Sequence, residues 1–224
     1  MKLHDFEVLT FDCYGTLIDW ESGLLAALKP LLAAAAQTAP AAEVLAQFAI
    51  HEVAQQAQTP GMLYPQLLAQ VHRRLARDWG VTVSDAAHTA FGHSVPQWPA
   101  FADSAAALQY LKQHYRLVIL SNGDPDMLEN ARPHIRFAFD RYISIAAAGY
   151  FKPHVATYRK AAEILQTPID RIMHVADHAF DCIGAQATGM KAAFINRRGR
   201  PYEETPYRPE LVVGNFTELA DAMT

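Results

Sequence analysis

Residues 11–20 read FDCYGTLIDW and follow directly on an apolar run at residues 6–11. The run alternates and is rich in β-branched and aromatic side chains, which is typical of a buried strand. Gly15 supplies the backbone freedom for a tight turn. Asp12 is therefore predicted to lie where a strand ends, and ligands of open α/β sheets bind beyond the carboxyl ends of strands. The alternative is that Asp12 only caps the turn, as Asp often does.

The remaining chain divides into a helical block and an alternating block. Between residues 21 and 93, apolar side chains recur at three- and four-residue spacing, with a break at Pro60-Gly61 and no convincing strand. From residue 103 onward helices and strands alternate, and parallel strands need such crossover connections. The sequence predicts an α/β fold with a parallel sheet, in which a core domain at 1–19 and 96–224 is interrupted by a helical domain at 20–95.

The predicted elements have the following bounds. The strands are residues 6–11, 117–120, 142–145, 173–176, 192–195 and 211–213. The helices are residues 21–37, 42–58, 63–79, 84–93, 103–114, 126–132, 155–165, 180–188 and 216–223. A Pro-Gln-Trp-Pro segment at residues 96–99 marks the return to the core domain.

Composition narrows the functional class. The chain has 224 residues, of which 51% are hydrophobic and 19% charged, as in an ordinary globular protein. Its formal charge of −4 argues against nucleic acid as a partner, and the short arginine clusters at residues 73–74 and 197–200 are predicted to be solvated surface. No apolar run has the length of a membrane span or a signal peptide, so we expect a cytoplasmic protein without a membrane partner. Cys13 and Cys182 are too few for a disulfide scaffold, and Cys13 is expected to be a packed, reduced thiol.

The FDCYGT stretch resembles the first motif of the haloacid dehalogenase superfamily, in which Asp12 would be a covalent nucleophile. Tyr14 makes it similar to the 2-haloacid dehalogenase branch and to a related hydrolase that opens the ring of azetidine-2-carboxylate; the superfamily's phosphatases carry a second Asp there. The resemblance implies a Rossmann-like parallel sheet with an inserted helical cap domain that closes over the active site. It also implies a small-molecule carboxylate as the substrate. Oligomeric state stays open, with a homodimer frequent among the resembling enzymes.

A second polar cluster is Leu120-Ser121-Asn122-Gly123. Ser121 and Asn122 would cap the following helix, and backbone N–H groups at such a place form an anion site. The resemblance assigns Ser121 to the substrate carboxylate, and Asn122 to the carboxylate or the leaving group. A plain helix cap is the alternative.

Lys152, in the stretch at residues 149–153, stands where a helix is predicted to open. A cation there is unfavourable against the helix dipole, which suggests that an anion holds it. By resemblance, Lys152 lies beside Asp12 and stabilises charge in the transition state. Tyr158 matches a further position of the family and would close the pocket, although an isolated Tyr is more often core. A surface Lys is the alternative for Lys152.

Asp177 and Asp181 are four residues apart and would share a face of a continuing helix. In phosphatases of the superfamily such a pair holds magnesium, whereas in the dehalogenases the first position is usually Ser. Asp181 would orient Lys152 or the hydrolytic water, and Asp177 would face the substrate. The alternative is that Asp177 caps the helix and His178 is a polar surface residue.

One departure concerns the helical domain. Haloacid dehalogenases carry an Arg early in the cap that contacts the halide, and residues 48–52, FAIHE, have none. His51 and Glu52 stand there instead. A halide leaves unaided but an amine must be protonated, so His51 favours cleavage of a carbon–nitrogen bond. A structural role for His51 is the alternative.

The leading hypothesis is a cofactor-free hydrolase that cleaves a carbon–halogen or carbon–nitrogen bond of a small 2-substituted carboxylic acid. Asp12 would form an ester with the substrate, Thr16 would position Asp12, and Lys152 and Asp181 would complete the catalytic set. The alternative is a magnesium-dependent phosphatase in which Asp12 and Asp177 bind the metal. A binding protein that has lost the chemistry is the third option, since fold alone does not choose.

Overall fold

The computed structural model describes residues 5–59 and 62–223 and shows two compact units. The first comprises Met1–Asp19 and Ala100–Thr224, and the second is Trp20–Pro99. The second boundary falls after Pro99 rather than after residue 95. Trp98 explains this position, because its buried ring packs so closely on Gly23 that a Cβ there would lie 2.3 Å away. The predicted break at Pro60-Gly61 lies outside the described residues.

The first unit contains a six-stranded parallel sheet, which confirms the predicted α/β architecture. The strands are β1 (Val8–Phe11), β2 (Arg116–Leu120), β3 (Arg141–Ile143), β4 (Ile172–Ala176), β5 (Lys191–Ile195) and β6 (Leu211–Val213). They are arranged in the order β3-β2-β1-β4-β5-β6. The order reverses between β1 and β4, and that switch point is where open α/β sheets bind ligands.

The described residues form ten α-helices, four in the second unit and six in the first. The second unit holds α1 (Trp20–Ala34), α2 (Ala41–Gln58), α3 (Tyr64–Asp78) and α4 (Asp85–Gly92). The first unit holds α5 (Ser104–Leu111), α6 (Pro125–Ile135), α7 (Ile145–Ala148), α8 (Val155–Leu165), α9 (Ala179–Gln186) and α10 (Phe216–Ala222). Within the described ranges, none of these helices combines the length and apolarity that crossing a bilayer requires.

The short helix α7 corrects the predicted strand at residues 142–145. The strand β3 ends at Ile143, and Ile145 already begins the helix. The carbonyl of Ser144 accepts hydrogen bonds from the backbone N–H groups of Ala147 and Ala148, both at 3.0 Å. Good helix-forming alanines therefore prevail over the β-branched isoleucines that suggested a longer strand.

β1 forms the centre of the sheet core because all four of its residues are buried. Its neighbours β2 and β4 pair with it in register, so that Phe11 lies opposite both Ile119 and Val175. Such continuous apolar strands are expected where helices cover both faces of a parallel sheet. The common register brings the chain segments that follow these three strands to one edge of the sheet.

The second unit has its own core, in which α3 is the clearest amphipathic helix. Its buried side chains recur at helical spacing and include Leu68, Val71 and Leu75. The same face contains His72, whose Nδ1 lies 2.7 Å from Nδ1 of the buried His88 in α4. Burial, reinforced by His88, lowers the pKa of His72 to about 4, so this imidazole is neutral at pH 7.

Candidate active site

Asp12 lies directly after β1, beside the switch point, and its side chain is buried. The backbone N–H of Asp12 still donates to the carbonyl of Val175 at 3.0 Å, so β4 holds the residue in line with the sheet. Thr16 donates from Oγ1 to Oδ2 of Asp12 at 3.0 Å, and Lys152 donates from Nζ to Oδ1 at 2.8 Å. The structure thus brings together Asp12, Thr16 and Lys152, as the sequence predicted.

The turn after Asp12 brings Thr16 within hydrogen-bond distance of the Asp12 carboxylate. Gly15 has a φ of +97°, a conformation that side chains other than hydrogen disfavour. The carbonyl of Cys13 accepts hydrogen bonds from the N–H groups of Leu17 at 2.8 Å and Ile18 at 2.9 Å, which closes the turn. Burial raises the pKa of the Cys13 thiol well above its ordinary value, so Cys13 is a packed, neutral thiol beside the site.

Lys152 reaches Asp12 from the loop that precedes α8, three residues before the helix begins. The side-chain amide of Asn122 holds its backbone: Nδ2 donates to the carbonyl of Lys152 at 3.1 Å, and Oδ1 accepts from its N–H at 2.7 Å. Both polar ends of Asn122 are therefore directed at Lys152, whereas the sequence predicted a contact with the substrate carboxylate or the leaving group. In this geometry Asn122 positions the lysine.

Asp181 is the second carboxylate on Lys152 and is almost fully buried. Its Oδ2 accepts from Lys152, and its Oδ1 accepts from the hydroxyl of Tyr158 at 2.5 Å and lies 3.0 Å from Nε2 of His174. Burial opposes the charge, but His174 and Lys152 hold the pKa of Asp181 well below its usual range. Of the two predicted roles, orientation of Lys152 is the one that these contacts match.

Tyr158 is fully buried, with its hydroxyl on Asp181. The sequence predicted that this phenol closes the substrate pocket. In the structure, its ring packs edge-on against His174 and its oxygen is engaged by the carboxylate. Tyr158 therefore braces Asp181 from within the core.

The charges around Asp12 keep it ionised. Burial raises its pKa, but the ammonium of Lys152 and then the nearby His178 outweigh that effect, and the pKa of Asp12 is lowered below its ordinary value. Burial opposes the charge of Lys152, but the carboxylates of Asp12 and Asp181 raise its pKa. A buried nucleophile candidate thus remains an anion at neutral pH.

His178 was missed as a site residue by the sequence analysis. It occupies the N-cap position of α9 without a capping hydrogen bond from its side chain, and its Nδ1 lies 3.7 Å from Oδ2 of Asp12, with only 24% of the side chain exposed. Burial opposes protonation, but the nearby Asp12 carboxylate raises the pKa of His178. The signal in the sequence was its place next to Asp177, just after a central strand.

Ser121 and Tyr14 both lie close to Gly123. Ser121 is buried, and its Oγ accepts from the N–H of Gly123 at 3.1 Å. Tyr14 is half-buried and donates to the carbonyl of Met127 at 3.0 Å, and a Cβ on Gly123 would lie 3.3 Å from its ring. Burial raises the pKa of the Tyr14 phenol, so it stays neutral over the physiological range.

Asp177 follows β4 but does not share a helix face with Asp181, because α9 begins only at Ala179. Its N–H donates to Oγ1 of Thr16 at 2.9 Å, which links it to Asp12 through one hydroxyl. Its carboxylate accepts from the N–H of Arg197 at 3.3 Å and from the guanidinium of Arg198. The prediction that the arginines at 197–200 are merely solvated surface is therefore wrong for these two.

Magnesium was the cofactor of the alternative hypothesis, and the donors present fit it poorly. Lys152 and Thr16 occupy the two oxygens of Asp12, and a guanidinium occupies Asp177. Across residues 5–59 and 62–223, no three His, Cys, Asp or Glu side chains converge as metal ligands would. Mg²⁺ would therefore have to share the oxygens of Asp12 with these donors and compete with the guanidinium for the carboxylate of Asp177.

His51 and Glu52 belong to α2 in the second unit. Nε2 of His51 lies 2.9 Å from Oδ2 of Asp78, and Glu52 accepts a hydrogen bond from the hydroxyl of Tyr64 at 2.7 Å. Both side chains are therefore engaged within their own unit. A role for His51 toward the substrate stays a prediction.

Comparisons with known proteins identify the family of this chain. Residues 6–189 match the haloacid dehalogenase-like hydrolases. The chain belongs to this family. Among the relatives of this hydrolase is an (S)-2-haloacid dehalogenase of Pseudomonas putida, 26% identical over 70% of this chain and 72% of that protein. Another is an (S)-2-haloacid dehalogenase of Pseudomonas fluorescens, 29% identical over 63% of this chain and 64% of that protein.

Structural similarity extends further along the hydrolase than sequence similarity does. The crystal structure of an L-2-haloacid dehalogenase matches with a TM-score of 0.81 at 25% identity, covering 96% of this chain and 97% of the other. The aligned sequences, in contrast, span about two thirds of the curated relatives. The family and fold expected from the FDCYGT motif are confirmed.

Proposed function

We propose that this chain hydrolyses small 2-substituted carboxylic acids, such as 2-haloacids, through an ester formed on Asp12 and without a metal ion. The observation that carries the proposal is the environment of Asp12: a buried, ionised carboxylate at the switch point, fixed by Thr16 and Lys152. The dehalogenases among its relatives support the substrate class.

In the first step, an oxygen of Asp12 attacks C2 of the substrate, and the electron pair of the broken bond leaves with the substituent. Thr16 and Lys152 hold the carboxylate in one orientation, which lowers the entropic cost of attack. Ser121 and the N–H groups at the start of α6 suit the substrate carboxylate, because a helix N-terminus favours an anion. Tyr14 borders the same place with a neutral phenol.

In the second step, water attacks the carbonyl carbon of the ester and regenerates Asp12. Lys152 stabilises the negative charge that develops on the carbonyl oxygen. His178 is the base for that water. Once Asp12 is esterified it no longer attracts the imidazole proton, so the pKa of His178 falls and the ring can accept a proton from water.

The leaving group divides the proposal into two branches. A halide leaves without a proton, and the relatives favour this branch. An amine, as in azetidine-2-carboxylate, needs a proton, and the raised pKa of His178 equips it to donate one in the first step. A substrate panel of 2-haloacids and azetidine-2-carboxylate separates the branches.

A magnesium-dependent phosphatase is the second candidate, and Asp177 is the observation in its favour. Such an enzyme needs an acid for the leaving alkoxide, and the position of that acid holds Tyr14, whose phenol is even less acidic than usual. Phosphate esters, each with and without magnesium, belong in the panel for this reason.

The test is a single turnover in oxygen-18 water with enzyme in excess. Mass spectrometry of the digested protein should find the label in the peptide that contains Asp12, and not in the peptides that contain Asp177 or Asp181. The matched control is Asp12→Asn, which should neither turn over nor take up label. Label found only in the product of that first turnover would contradict the ester.

A further inference from the structure

Arg198 is a cation near the site that the mechanism above does not use. It lies in the loop after β5 and donates from Nη1 to Oδ2 of Asp177. Its Nη2 is 3.8 Å from Oδ1 of Asp19. The Asp177 side chain is only 3% exposed and that of Arg198 is 18% exposed, so the pair is mostly removed from water.

The neighbouring Arg197 anchors this loop to the core. Its guanidinium donates to both carboxylate oxygens of Asp103 at 3.1 Å and lies 3.9 Å from the ring centre of Phe101. Its backbone N–H donates to the second oxygen of Asp177. Because Arg197 is fixed in this way, the backbone at the adjacent Arg198 is held close to Asp177. The contact between Arg198 and Asp177 is therefore set by the fold.

Asp177 is next to Asp12 in the hydrogen-bond network, since Thr16 Oγ1 joins the N–H of one to the carboxylate of the other. Carboxylates attract hard divalent cations, which prefer oxygen ligands. A guanidinium satisfies the same oxygens with one positive charge and directed N–H donors. The two kinds of cation compete for the carboxylate of Asp177.

We propose that Arg198 is a positioning residue that holds the carboxylate of Asp177 in place of a divalent cation and thereby excludes such an ion from the site. Its catalytic consequence, independence of metal, rests on the proposed function. Its binding consequence does not, because ion binding is measurable without any substrate.

The test measures binding of Mn²⁺, as a paramagnetic probe for Mg²⁺, to the intact chain by electron paramagnetic resonance. Arg198→Ala removes the donor from Oδ2 of Asp177 and should bind one Mn²⁺ at least about tenfold more tightly than the wild type. Arg198→Lys keeps the positive charge and should remain as weak a binder as the wild type. A purely structural role of the guanidinium would not produce this rescue.

The double variant Arg198→Ala with Asp177→Asn is the matched control and should lose the gained ion. Circular dichroism verifies folding, and if Arg198→Ala does not fold, Arg198→Gln replaces it, since Gln is uncharged but keeps more of the packing. Both uncharged variants make the same prediction for Mn²⁺.

Unchanged Mn²⁺ affinity in the folded uncharged variant overturns the proposal, and so does a Lys variant that binds as tightly as the Ala variant. Wild-type turnover measured with a chelator tests the proposed function separately. Turnover that requires Mg²⁺ would refute metal independence, whatever the Mn²⁺ titrations show.

Discussion

Two carboxylates stand at the ends of adjacent central strands, yet they have different partners. Asp12, after β1, is held by an ammonium and a hydroxyl, and its pKa is lowered. Asp177, after β4, is held by Arg198, but burial prevails there and its pKa is raised. Equivalent places in a sheet therefore do not imply equivalent chemistry.

The difference in pKa comes from the residues that hold Lys152, the cation on Asp12. Lys152 is itself buried and bonded to Asp181, which is fixed by Tyr158 and lies beside His174. Asp12 thus faces a cation that cannot move away. Such preorganised charge is what stabilises a transition state without a reorganisation cost.

The largest expected effect separates the two carboxylates directly. Asp12→Asn should lower kcat by at least about a thousandfold, because the nucleophile is removed. Asp177→Asn should lower it by about tenfold or less, since the proposed mechanism gives Asp177 no reacting atom and its carboxylate is held by Arg197 and Arg198. Steady-state turnover of the best substrate of the panel measures both. Equal losses of kcat in the two variants would contradict different roles for Asp12 and Asp177.

Removal of each of the two cations should lower the stability of the fold by a different amount. Lys152→Met leaves two buried carboxylates without their ammonium and should lower the free energy of unfolding by about 3–5 kcal/mol. Arg198→Met breaks a less buried pair whose carboxyl can take up a proton, so about 2 kcal/mol is expected. Urea unfolding at pH 7 provides the values. A larger loss for Arg198 would contradict the assignment of Lys152 as the central cation.

The pH dependence of stability in His178→Gln tests the comparison further. The raised pKa of His178 means that its protonated form stabilises the fold below pH about 6.5, and that this stability is lost as pH rises through the folded-state pKa. The lowered pKa of Asp12 makes its own contribution constant above pH about 4 to 5. The free energy of unfolding of the wild type should therefore exceed that of the variant by more at pH 5.5 than at pH 9, which urea unfolding at the two pH values measures.

The same variant has a kinetic readout. If His178 is the base for ester hydrolysis, His178→Gln should slow the second step by about a hundredfold and let the ester accumulate. Mass spectrometry of quenched enzyme would then show the intact protein with the mass of the substrate's carboxyalkyl group added. Normal turnover without accumulation would exclude His178 as the base.

The smallest effect is expected for Tyr158, which contacts Asp181, the second carboxylate on Lys152. Tyr158→Phe removes one hydrogen bond to Asp181 and leaves Lys152 in contact with it, so a loss of about 1 kcal/mol in stability is expected. We expect kcat to fall by less than about tenfold, with KM unchanged. A rise in KM alone would instead support the predicted contact between Tyr158 and the substrate.

The agreement between sequence and structure is closest for features that depend on neighbours in the chain. The strand before Asp12 and the turn at Gly15 follow from local pattern and backbone freedom. The helix α7 was missed because isoleucines at residues 143 and 145 suggested strand, although the alanines that follow favour helix. The solvated-surface interpretation failed for Arg197 and Arg198, because composition does not show which side of a loop faces a buried carboxylate.

By itself, the sequence determined the family, the alternation of strands and helices, and the placing of Asp12 at a strand end, since these depend on residue spacing and on a ten-residue motif. The tertiary structure decided which carboxylate pairs with which cation. Lys152 meets Asp12 across 140 residues and Arg198 meets Asp177 across 21, and those approaches exist only once the sheet order is formed. Burial and the neighbouring charges together then set each pKa, because the cost of a charge depends on the groups that replace water around it.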